Sequence, residues 1–103
     1  MKNMGDIAKM AQRMQADMAK AQADLAEATV EGSAGGGAVK VTLTGTQEIR
    51  SITISKDAVD PDDVDTLQDL VLAAFKDALT KSRELASQRL GSVTGGLKIP
   101  GIT

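Results

Sequence analysis

The chain has 103 residues, twelve basic and fourteen acidic side chains, a net charge of −2, and no histidine, cysteine, tryptophan or tyrosine. That length makes one domain, since folding units of about 100 to 150 residues are the commonest size. The missing residue types exclude disulfides, Cys/His zinc sites and His- or Cys-based nucleophilic triads, and so point away from an enzyme.

Slight acidity is the opposite of the basic footprint common in nucleic-acid binders. No apolar run approaches the roughly 18 residues of a membrane span, and MKNMGDIAKM has no continuous apolar signal core. A cytoplasmic location, without a membrane partner, is the expectation.

From about Asn3 to Ala28, Ile7, Ala11, Met14, Met18, Ala21, Leu25 and Ala28 recur at alternating spacings of four and three. This is a heptad seam, filled out by strong helix formers, and predicts a long amphipathic helix. Of the methionines at 4, 10, 14 and 18, two lie on the seam, which favours helix packing over an adaptable docking groove. Such a helix on so small a chain needs a second copy to cover it, so a homodimer is expected. Lys2, Lys9, Arg13 and Lys20 fall within about 40° of one another opposite the seam. Asp6, Asp17 and Asp24 are spaced to pair with them, which makes a neutral solvated face the simplest reading of that stripe.

After the helix the period becomes two. Val39, Val41 and Leu43, then Ile52 and Ile54, mark two half-buried strands joined at Gly45-Thr46, with Ile49 out of phase and suggesting a bulge or an edge contact. Thr29 to Glu31 make a weaker third strand, followed by a flexible Gly32 to Gly37 loop. Those glycines lack phosphate-loop spacing.

Asp60 is placed as N-cap and Pro61 at the first position of a second helix, with Asp62, Asp63 and Asp65 near its positive end. The acids do not match a calcium loop, because Val64, Asp65 and Val71 stand where ligands and glycine are needed. Leu67, Leu70, Val71, Ala74, Phe75, Ala78, Leu79, Leu85 and Ala86 carry the apolar stripe to about Leu90, where Gly91 is placed to stop it. The far half is cationic, with Lys76, Lys81, Arg83 and Arg89 against Asp77 and Glu84, as dipole complementarity alone would favour. The domain is expected to occupy 1–91. Residues 92–103 form a glycine-rich tail, dispensable for folding, with Leu97, Ile99 and Ile102 as anchors for contacts between dimers.

In order and at this length, the set resembles the YbaB/EbfC family of bacterial nucleoid-associated DNA-binding proteins. It comprises KMAQRMQADMAKAQADLA, Gly35, Gly37, Val39 to Gly45, Asp60-Pro61, Leu67, Asp69-Leu70-Val71, Ala73-Ala74-Phe75, Ala78, Gly95-Gly96-Leu97 and Pro100-Gly101. Lys76 stands where family members usually show asparagine. The resemblance implies an α+β, two-layer fold of helix, three-stranded antiparallel sheet and helix, forming a tweezers-like homodimer. It also implies non-enzymatic binding of double-stranded DNA in the nucleoid, with no cofactor and no metal. Candidate phosphate contacts are Lys9, Arg13, Lys20, Lys81, Arg83 and Arg89. Candidate dimer and helix-packing residues are Ile7, Met14, Met18, Leu25, Leu67, Val71 and Phe75. The alternative is a protein-interaction module that docks a partner through its heptad, Met-rich helix without DNA.

Overall fold

The computed structural model describes residues 3–93. Helix α1 (Met4–Glu27) leads into strands β1 (Thr29–Ala34), β2 (Val39–Thr44) and β3 (Ile49–Ile54). A short 3-10 turn (Lys56–Ala58) and helix α2 (Val64–Val93) follow. The three strands form an antiparallel sheet in the order β1-β2-β3, as expected.

Helix α1 starts where Asn3 Oδ1 accepts the Asp6 N–H at 2.9 Å, which satisfies one of the orphan donors of the first turn. At its other end Gly45 donates its N–H to the carbonyls of Leu25 and Ala28 at 2.9 and 3.0 Å. A Cβ at Gly45 would lie 2.7 Å from Leu25 Cδ2, so glycine is what lets the β2–β3 turn close on the helix end. Within that turn Gln47 adopts φ +64°, the left-handed residue of a short hairpin loop. Its amide donates to Gly45 O and to Ser82 Oγ, both at 2.9 Å, and Ser82 donates to Thr44 O at 2.6 Å. Ser82 is fully buried and ties the middle of α2 to the same turn that caps α1.

Val39, Val41 and Leu43 of β2 are buried against Ala74 and Ala78 of α2, with Val30, Ala34, Leu67, Leu70, Val71, Phe75 and Leu79 around them. The expected Gly32–Gly37 loop is shorter than the spacing suggested. Gly32 is a buried residue of β1, and the turn is confined to residues 35–38, with Gly35, Gly36 and Gly37 all at positive φ. The reason is contact: a Cβ at Gly32 would stand 2.2 Å from Ala78 N and 2.4 Å from Ala74 O. Strand and helix meet backbone to backbone.

Strand β3 carries the expected bulge. Thr42 pairs with Ser51 and Leu43 with Ile49, leaving Arg50 extra, which returns Ile49 to the face of Ile52 and Ile54. That face is not half-buried as predicted: Ile49, Ile52 and Ile54 are 53, 47 and 40% exposed. Helix α2 lies across β1 and β2 and stops short of β3.

Two helix boundaries also move. Asp60 caps a turn, accepting Asp62 N–H, whereas Asp63 caps the helix by accepting the Thr66 N–H and hydroxyl. Gly91 does not stop α2, which continues to Val93 with Ser92 Oγ donating to Gln88 O. Glycine ends a helix by taking the left-handed conformation, and Gly91 does not take it. Ser92 and Val93 therefore belong to the helix, and the rest of the predicted tail lies outside the described residues.

The molecule measures 72 × 25 × 16 Å, with a radius of gyration of 19.5 Å against about 13 Å for a compact chain of this length. The length comes from α1 and the second half of α2, which run antiparallel away from the sheet as a two-helix arm. The opposite end holds the start of α2 and the preceding turns, with Asp57, Asp60, Asp62, Asp63, Asp65 and Asp69.

Gly32→Ala is expected to destabilise the fold by about 3 kcal/mol or more, because two backbones would have to separate. Gly36→Ala, in open space at φ +68°, should cost only about 1–2 kcal/mol. Urea unfolding of both variants measures the difference.

Candidate nucleic-acid interface

The seam of α1 is buried only at its sheet end. Leu25 is 1% exposed and Ala21 8%, Met18 is half-buried, whereas Met14 is 42% and Ile7 56% exposed. The cause is length, since α2 ends beside residues 17–24 of α1. Of the other packing candidates, Leu67, Val71 and Phe75 are half-buried around the core. They border a shallow apolar recess with Gln68 and Leu72. At 100° per residue this flank of α2 faces away from the β1 edge, so it adjoins the uncovered isoleucines of β3.

The six basic candidates are all exposed, and they fall into three groups. Lys9 and Arg13 flank a shallow recess near the arm tip with Met10 and Gln12. Lys20 and Arg89, from different helices, share a groove with Asp17 and Asp24. Arg83 and Lys81 sit on α2 beside the sheet. The spacing of Asp6, Asp17 and Asp24 predicted pairing along α1. Among the described residues, Lys9, Arg13, Lys20, Arg83 and Arg89 make no side-chain hydrogen bond or ion pair. The stripe is open to solvent.

Lys81 differs. Its Nζ lies 3.2 Å from Asp77 Oδ2 and donates to Glu31 O at 3.0 Å, while Asp77 Oδ2 accepts the Ser33 N–H at 3.1 Å. Glu31 O and Ser33 N face outward from β1, an edge strand whose polar groups need partners. Asp77 and Lys81, one helical turn apart, supply both and clasp the edge. The i,i+4 spacing was visible in the sequence, but its target on β1 was not. The Ser33 N–H, and then the Lys81 ammonium, hold the Asp77 carboxyl below its ordinary pKa. Arg50 was also not foreseen: from the bulge it donates to Ala26 O near the end of α1 at 3.3 Å.

Among the described residues no cluster of acids is arranged to hold a metal ion, and no helix is long and apolar enough to cross a membrane. What the surface offers is a row of cations on a projecting two-helix arm set on a small sheet, which defines a class of α+β protein built around an exposed arm. The chain belongs to the YbaB/EbfC DNA-binding family, whose profile matches residues 1–97.

Relatives named nucleoid-associated protein include one from Ruminiclostridium cellulolyticum, 52% identical over 97% of this chain and 88% of its own length. Another, from Roseiflexus castenholzii, is 52% identical over 96% of this chain and 98% of its own. The crystal structure of an uncharacterized protein from Helicobacter pylori superposes with a TM-score of 0.75 at 16% identity, covering 95% of this chain and all of that one. This last likeness bears on the fold alone.

Asp77→Asn should weaken the clasp and lower the melting temperature at neutral pH. Because the folded-state pKa of Asp77 is depressed, its contribution is present above the ordinary carboxylate value of about 3.9 and is lost as pH falls through the lower, folded value. The stability difference between the two proteins should therefore shrink on acidification, as thermal melts between pH 7 and pH 3 would measure.

Proposed function

We propose that this protein is a nucleoid-associated, non-enzymatic binder of double-stranded DNA that acts as a homodimer through phosphate contacts with little sequence preference. The observation that carries the proposal is the open cationic stripe of the arm, in a chain that belongs to a DNA-binding family. Lys9 and Lys20 stand about 16 Å apart along α1, roughly five steps of the 3.4 Å phosphate rise. Arg13 lies between them, and Arg83 and Arg89 come from the paired helix. Lys81, engaged at the β1 edge, contributes least. Phosphate contacts position a protein on the duplex without reading bases, and a single aromatic residue gives no platform for base stacking.

The homodimer is supported by the exposed apolar residues Ile49, Ile52 and Ile54 of β3 together with the apolar flank of α2 at Leu67, Val71, Leu72 and Phe75. This is too large an apolar exposure for a small domain to leave in water. The unmodified chain should sediment at about twice 10.7 kDa, and Ile52→Asp at the single-chain mass with its circular dichroism retained, as expected for a surface residue. A folded monomer of the unmodified chain at micromolar concentration would remove this part of the proposal.

With two arms, about four to six neutralised phosphates give a slope of log affinity against log salt near −4 to −5. Replacing Arg13 and Arg83 by Ala should weaken binding equally on unrelated duplexes and flatten that slope, measured by gel-shift titration from 50 to about 200 mM salt. The competing reading, docking of a partner protein on the Met-rich face of α1, is favoured by the exposure of Ile7 and Met14. It predicts no steep salt dependence. Absence of binding on several duplexes at low salt, with the dimer intact, would favour it.

A further inference from the structure

The groove where α2 comes alongside α1 holds two carboxylates that the fold does not use. Asp17 and Asp24 of α1 line it with Lys20 of the same helix and Arg89 of α2. They stand three residues before and four after Lys20, within pairing range along a helix. Among the described residues, however, the one ion pair is that of Lys81 with Asp77, and neither carboxylate in the groove accepts a hydrogen bond. Neither caps a helix: Asn3 does so at the start of α1, and Asp24 lies in the last turn, which has no basic residue. The helix dipole disfavours an acid there.

Their position around α1 shows what they face. Counting 100° per residue from Lys20, Asp24 lies about 40° away and Asp17 about 60°, and Ala21 follows at about 100°. Ala21 is 8% exposed and lines the same groove. The two acids therefore stand between the cationic row of Lys9, Arg13 and Lys20 and the Arg89 of the neighbouring helix. An anionic backbone that touches both helices has to pass over them. We infer that Asp17 and Asp24 are repulsive groups set between the phosphate contacts, which hold down the affinity of the arm for duplex DNA and favour release. The inference rests on the DNA-binding reading above and adds to it the side chains that limit the binding. Like charges brought together at an interface disfavour association, and where contacts read no bases the repulsion acts alike at every sequence. Both carboxylates are exposed and unpaired, so neutralising them leaves the packing of the arm as it is.

Gel-shift titration of the full chain on unrelated duplexes tests this. Asp17→Asn combined with Asp24→Asn is expected to bind every duplex about fivefold or more tightly than the unmodified chain at about 50 mM salt, with the gain shrinking toward about 200 mM as the charges are screened. Each single variant should give part of that gain. Asp17→Glu combined with Asp24→Glu keeps the charges and should stay within about twofold of the unmodified chain. Asp57→Asn combined with Asp62→Asn makes the same change in net charge at the opposite end of the molecule, and should also stay within about twofold, because that end lies well beyond the screening length. Circular dichroism of each variant checks that the fold is intact. Equal affinity of the Asp17, Asp24 amide variant and the unmodified chain would overturn the inference and leave the DNA-binding reading standing. So would an equal gain in the Asp57, Asp62 variant, which would assign the effect to net charge. Binding by none of these proteins at the lower salt would overturn the DNA-binding reading, and this inference with it.

Discussion

The close approach of two backbones, β1 at Gly32 and α2 at Ala74 and Ala78, governs the arrangement of everything else. A helix normally keeps about 10 Å from a sheet because side chains fill the gap. Here three of the smallest residues meet, and α2 settles over β1 and β2. The helix is then near enough for Asp77 and Lys81 to reach over the β1 edge, and too far to one side to cover Ile49, Ile52 and Ile54. One edge of the sheet is thereby closed by the chain itself, and the other side is left apolar and accessible. The surface proposed for a second subunit thus follows from where α2 was able to sit.

The β2–β3 turn is the second fixed point, since it holds both halves of the arm. Gly45 receives the end of α1 through two carbonyls, and Gln47 and Ser82 bind α2 to the same loop. The angle at which the arm leaves the sheet is set by three hydrogen-bonding residues and not by an extended apolar core. A left-handed Gln47 would cost less as glycine, but a glycine has no amide to reach Ser82. Conformational strain is accepted here for the sake of the cross-link.

Much of this was legible in the sequence, and the parts that were not share a cause. The two helices and three strands follow from periods of 3.6 and 2, and the bulge at Arg50 was visible as a phase error between Ile49 and Ile52. The boundaries that moved were those where a local signal competed with a neighbour. Gly32 reads as loop until α2 is laid against it, Gly91 reads as a stop until its backbone is found to be helical, and Asp60 yields the cap to Asp63 because Pro61 opens a turn first. The exposure of β3 could not be read at all, since alternation shows which face is apolar but not how wide a helix must be to cover it. For the proposed interface, the positions of Lys9, Arg13 and Lys20 on one line were legible from 100° geometry. That Lys81 is held by Asp77 and Glu31 was not, because half of that contact comes from a strand fifty residues away.

The separation of charge along the 72 Å axis gives the molecule a handle for orientation as well as for contact. Six aspartates with one lysine occupy the stretch from Lys56 to Asp69 at the sheet end, while the arm carries cations in near balance with its acids. A net acidic protein of this build is repelled by a polyanion as a whole, yet it experiences a torque that turns its acidic pole outward and presents the arm first. Salt would relax this alignment over about 8 to 10 Å of screening, so ionic strength would act on the angle of approach independently of its action on the phosphate contacts proposed for the arm.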